Sequence, residues 1–167
     1  MTFYVNSSTI GADLNNVSTT QLFTLGSTLE GSDGTIWQYV NASTSVSQYA
    51  LIAINASGTM AMASAADAVA GLQLAVSQQA FTASSYGWVP IHGTGGTSST
   101  FKVLASSTMS GGNALYVGTK TGSVSIQASG SSTLTGIIVY AASGADHATT
   151  TSLACVITWP KCNYSGS

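Results

Sequence analysis

Leu153-Ala154-Cys155-Val156-Ile157-Thr158-Trp159 sets Ala154, Val156 and Thr158 on one side of an extended chain and Cys155, Ile157 and Trp159 on the other. Successive strand residues point to opposite faces, so this period of two is a strand signal. Val124 and Ile126 repeat it upstream. From Gly34 onward the chain is a succession of short runs rich in β-branched and aromatic residues, separated by Gly, Ser, Asn and Thr clusters. Candidate strands lie at 35–40, 49–54, 59–63, 71–76, 86–92, 101–104, 114–117, 124–127, 134–140 and 153–159. Asp33-Gly34, Asn55-Ala56-Ser57-Gly58 and Ser110-Gly111-Gly112-Asn113 supply turn chemistry, because Gly and Asn tolerate the positive φ of tight connections. Long apolar blocks are missing, which argues against a parallel α/β sheet. The expectation is an all-β domain of short antiparallel strands.

One segment departs from this pattern. Ser64 to Ala70 is alanine-rich, and alanine is the best helix former. A helix this short needs packing against the sheet to persist, since isolated helices below about 12 residues are marginal. At most one short helix is therefore expected. Residues 1–34 are a polar leader with Phe3, Tyr4 and Val5 at its front and Leu22, Phe23 and Leu25 near its end. The chain divides into an N-terminal arm (1–24), a β-rich domain (25–160) and a C-terminal tail (161–167).

Charge is scarce. Three lysines (Lys102, Lys120, Lys161), no arginine and five acids (Asp13, Glu30, Asp33, Asp67, Asp146) give a net charge of −2 in 167 residues. Soluble domains ordinarily carry about 25% charged residues, and charge keeps independent proteins apart. A surface built from Ser, Thr, Asn, Gln, Gly and Ala suits a permanent place in an assembly. With 44% hydrophobic residues the chain lacks the disorder signature. No basic patch exists to neutralise phosphates, so no nucleic-acid partner is expected. The longest apolar stretches, such as Ile137 to Ala142, fall far short of the roughly 20 residues of a membrane helix. No basic n-region with an apolar run opens the sequence, so neither a membrane nor a secretory address is expected.

Catalytic constellations are thin. The histidines are His92 and His147; Asp146 directly precedes His147, but strand neighbours point apart and the surrounding residues read as a solvated loop. Glu30 and Asp33 are a pair of carboxylates in one turn, where a solvated turn is the simpler reading than a glycosidase pair. Asp13, Asn15 and Asn16 offer oxygen ligands without the rest of a calcium loop. Gly93-Thr94-Gly95-Gly96-Thr97 lacks the Lys-Ser/Thr of a phosphate loop. No catalytic residue, metal or cofactor is assigned. Five Asn-x-Ser matches, at Asn6, Asn16, Asn41, Asn55 and Asn163, are ordinary turn chemistry in a Ser/Thr-rich chain. Cys155 and Cys162 flank a Trp159-Pro160 turn signal; they read either as a small-loop disulfide or as a buried thiol and an unpaired one in the tail. Trp37 with Tyr39, and Tyr86 with Trp88, each share a strand face. Such pairs read either as core packing or as anchors of a subunit interface.

The ordered phrases Leu25-Gly26-Ser27-Thr28, Gly31-Ser32-Asp33-Gly34-Thr35-Ile36-Trp37-Gln38-Tyr39-Val40, Ala75-Val76-Ser77-Gln78-Gln79-Ala80, Tyr86-Gly87-Trp88-Val89-Pro90-Ile91-His92-Gly93, Gly136-Ile137-Ile138-Val139 and Ala154-Cys155-Val156-Ile157-Thr158-Trp159-Pro160 together resemble small head proteins of tailed bacteriophages, the decoration or cement subunits. The likeness spans about residues 25–160 and includes no catalytic signature. It implies a compact β-barrel or β-tulip-like domain that forms a homotrimer on the capsid exterior of the virion and clamps neighbouring major capsid protein subunits. In that picture Phe3, Tyr4 and Val5 of the arm are expected to add a strand to a capsid loop. The competing class is a tail-fibre or adhesin-type module that binds carbohydrate or a receptor, with Trp37 or Trp88 as an exposed platform.

Overall fold

In a computed structural model the described residues are 12–31, 33–64, 67, 72–93, 101–106, 114–118, 121–125, 132–139 and 151–164, with backbone only at 132, 151 and 162–164. They form an all-β body: β1 (Thr28–Glu30), β2 (Ile36–Ala42), β3 (Leu51–Ile54), β4 (Thr59–Met62), β5 (Gln73–Val76), β6 (Tyr86–Gly93), β7 (Phe101–Ala105), β8 (Leu115–Val117), β9 (Val124–Ser125), β10 (Ser132–Val139) and β11 (Thr151–Tyr164). Every strand expected from the sequence is present, and β1 is an addition. Of the alanine-rich segment 64–70 only Ser64 and Asp67 are described. The Ser64 amide and hydroxyl both donate to Asp67 Oδ2 at 2.7 Å, the bonding expected where a small cap satisfies loose amides.

The strands follow the order β10-β8-β9-β7-β11-β6-β2-β4-β3-β5, with β1 on β2. Because β10 also pairs with β11, the strands β10, β8, β9, β7 and β11 close on themselves as a barrel. All ladders are antiparallel except β2–β4 and β7–β9. β11 is the longest element. It takes β7 on one edge at residues 151–155 and the end of β6 at Ile157 and Thr158, while β10 runs along the other edge.

Two cores lie on opposite faces of the β2–β6 ladder. Trp37, Tyr39 and Trp88 continue the barrel interior of Phe101, Val103, Leu115, Leu134, Ile137, Cys155 and Ile157. Val40, Val89 and Ile91 meet Val46, Ile52, Ile54, Met60 and Phe81 in the second core. A strand buried on both faces reads as a near-continuous apolar run, which is what Trp88-Val89-Pro90-Ile91 is. Pro90 is tolerated in β6 because it sits beside a bulge: Ile36 faces His92 and Trp37 faces Pro90, leaving Ile91 unpaired.

A closed cycle of backbone bonds joins the two halves. Leu51 N–H donates to Gly122 O, Gly122 N–H to Ala63 O, and Ala63 N–H to Leu51 O, at 2.8–2.9 Å. Beyond its single pairing with β9 at Ala105, that side of β7 is met by a side chain: the Gln78 amide donates to Lys102 O (3.0 Å) and accepts from Lys102 N–H (3.1 Å), as a neighbouring strand would. Leu104 N–H donates to Tyr49 O beside it.

The arm boundary set by composition at residue 24 does not coincide with a change in packing. Leu14 is fully buried, Ser18 bridges Tyr86, and Phe23 packs on the barrel core. The segment assigned to the tail begins inside β11, which runs to Tyr164.

Candidate functional site

Trp37, Tyr39 and Trp88 are core residues, only 1–2% exposed. A side chain of this kind buries about 150–250 Å², so a few ångströms squared remain for any partner. The interface assignment therefore fails for these residues, and so does the use of Trp37 or Trp88 as an exposed platform. Tyr86 is half-buried. It stacks on Tyr39 with ring centroids 6.4 Å apart and planes 14° from parallel, and Phe23 closes edge-on against Tyr39 (5.3 Å). Asp13, Asn16, Ser18, Leu22, Phe23, Tyr39, Tyr86 and Trp88 line a small cleft there. The Tyr39 hydroxyl accepts from Leu22 N–H at 3.0 Å and so pins the leader to the body.

The other sequence candidates serve local structure. Asp33 Oδ1 accepts from the Thr35 amide (3.0 Å) and hydroxyl (2.6 Å), and the Thr35 hydroxyl accepts from the indole N–H of buried Trp37 (2.9 Å). Glu30 is exposed on β1 and has no part in that relay. Asp13 Oδ1 accepts from Asn15 N–H, and Asn15 Oδ1 from Gln79. Among the described residues there is no group of three or more His, Cys, Asp or Glu that could hold a metal ion. No helix among them is long and apolar enough to cross a membrane. Phe3, Tyr4, Val5, Asp146, His147 and residues 94–97 lie outside the described residues.

Cys155 is a free, buried thiol whose pKa is pushed up to about 12 by desolvation, so it is neither nucleophile nor ligand at neutral pH. It shares the strand β11 with Cys162. Seven steps of about 3.3 Å separate the two, well beyond disulfide reach.

The feature that the sequence pattern concealed is at Trp159. Thr135 pairs with Lys161 and Ile137 with Ile157, so Gly136 alone faces Thr158, Trp159 and Pro160. The Trp159-Pro160 turn signal is thus a wide bulge inside one strand. Cys155 and Ile157 point into the barrel as their alternation requires, but the bulge breaks the phase and Trp159 emerges 46% exposed. Its backbone is left-handed (φ 51°), and Gly136 opposite has φ 79°. The indole rests on His92 of β6, with centroids 5.6 Å apart and planes 27° from parallel. His92 Nδ1 is buried and has no hydrogen-bond partner. No protein-family model, curated protein or solved structure matches the chain. The described groups at these places offer contact surface and ring stacking.

Proposed function

We propose that the chain is a structural virion protein: a decoration subunit that binds the outside of a tailed-phage head as a trimer and cements neighbouring major capsid protein subunits against genome pressure. The observation that carries this is the near-absence of charge on a closed all-β body. The exposed stretches 19–22, 43–45, 47–48, 55–57 and 82–84 carry no charged residue, and among the described residues the exposed charged ones are Asp13, Glu30, Asp33, Lys102 and Lys161. Neutral hydroxyl and amide surfaces join by short hydrogen bonds and close packing without the desolvation penalty of ion pairs. Many copies on one shell add avidity, so each contact can be modest. The phrases that carry the resemblance also fall on β2 and β6, which line both cores, and on β10 and β11, which line the barrel core.

Heads prepared with and without the protein, imaged by electron microscopy, test this directly. Added density outside the shell, a solution mass about three times the 16.8 kDa chain, and binding that survives from low to molar salt are expected. Binding only at the tail tip, or a steep loss with salt, counts against it.

A further inference from the structure

We propose that Trp159 is the stacking platform of a sugar-binding site at the β10–β11 bulge. Three locally unfavourable features meet there. A bulky residue in left-handed backbone is a genuine outlier, and Trp159 is one. Opposite it, any Cβ on Gly136 would stand 2.5 Å from Thr158 O and 2.9 Å from Trp159 O, so the bulge requires glycine there. Beneath it, His92 Nδ1 is buried with no hydrogen-bond partner, an unfavourable state that calls for a reason. Departures of this kind concentrate where a fold gives up local stability for a function.

What they produce is an indole stacked on the imidazole and still 46% exposed. A rigid aromatic face, flanked by a few polar groups, is the usual floor of a small-ligand site. Thr158, Thr135 and Lys161 are exposed around it. Across the sheet Thr158 pairs with His92, His92 with Ile36 and Ile36 with Glu30, so a hydroxyl and a carboxylate mark the ends of one row. Strands about 4.8 Å apart make that row about 14 Å long, the span of a short oligosaccharide. A neutral, hydroxyl-rich ligand suits this surface; a phosphate would find Lys161 as the one exposed cation on the described part of β11. A protein hot spot sits at the centre of a desolvated apolar patch, whereas Trp159 is bordered by hydroxyls. Ile138, also exposed, stands on β10 opposite Val156, on the far side of Ile137 from the bulge.

The test titrates the full chain with neutral trisaccharides of glucose, galactose, mannose and N-acetylglucosamine while following tryptophan emission and acrylamide quenching. Trp37 and Trp88 are buried, so the quenchable signal at this face is that of Trp159. At least one sugar is expected to shift the emission saturably at millimolar concentration and to shield the exposed indole. Trp159→Ala should abolish saturation transfer from the protein to the sugar, His92→Ala should weaken the emission response about tenfold, and Ile138→Ser should leave it unchanged. Saturation transfer between the sugar and the Trp159 indole N–H of the unmodified chain gives the same answer without a variant. No saturable response to any of the four sugars overturns the proposal, as does a response that persists in Trp159→Ala. A change of oligomeric mass in Trp159→Ala also overturns it, since Trp159 would then lie between copies.

Discussion

Replacing Gly136 by alanine should destabilise the protein through two additive effects. The residue has φ 79°, where an L side chain is strained by about 1–2 kcal/mol. Its new Cβ would also meet Thr158 O at 2.5 Å and Pro160 Cα and Trp159 O at 2.9 Å. All three are backbone atoms that no rotamer change can move aside, and such overpacking adds about 1–3 kcal/mol. The sum, about 2–5 kcal/mol, does not exceed the usual 5–15 kcal/mol of native stability, so the variant should still fold. For a chain of this size each kcal/mol lowers Tm by about 2–4 °C, giving a loss of about 4–20 °C. Gly26→Ala is the matched control: its φ is 83° and nothing lies within 4 Å of the added carbon, so backbone strain acts alone. Thermal unfolding followed by circular dichroism measures both, and acrylamide quenching should show Trp159 displaced only in Gly136→Ala. If Gly136→Ala loses no more than Gly26→Ala, the account of the bulge is wrong.

Three further outcomes are expected. Tyr39→Phe removes the acceptor for Leu22 N–H and should lower stability by about 1 kcal/mol, with faster hydrogen exchange at Leu22 as the specific sign. Gln78→Ala strips the amide that pairs with Lys102; faster exchange at Lys102 N–H and a greater tendency to self-associate, read by light scattering, should follow. Cys155 should resist alkylation in the native state and react on unfolding. The folded thiol keeps its proton up to about pH 12 and the unfolded one loses it above 9.0, so stability is full below that lower value. Relative to Cys155→Ala it should then fall by about 1.4 kcal/mol per pH unit through that window, as urea titrations at stepped pH will show.

Strand positions were legible because runs such as Leu51 to Ile54 and Leu153 to Ile157 are short, β-branched and bounded by turn residues. β1 escaped because Thr28-Leu29-Glu30 has one apolar residue and is held by its partner strand. The parallel pairs β2–β4 and β7–β9 are tertiary facts that no local pattern encodes. The aromatics show the limit more sharply. Alternation correctly put Trp37 with Tyr39 on one face, but face membership does not say whether that face meets the interior or a partner. In the other direction, counting in twos from Cys155 and Ile157 sends Trp159 inward. Two extra residues on β11 opposite a lone Gly136 disturb that phase, and their hint was the Trp-Pro pair.

The ladder of β2 and β6 serves as the common wall of both cores. Neither core can therefore melt while the other keeps its lining, and the Leu51–Gly122–Ala63 cycle ties the remaining strands to the same event. Heat should take the body apart in a single cooperative step, with calorimetric and van't Hoff enthalpies in agreement. A protein built in this way stays whole up to its limit and then fails all at once.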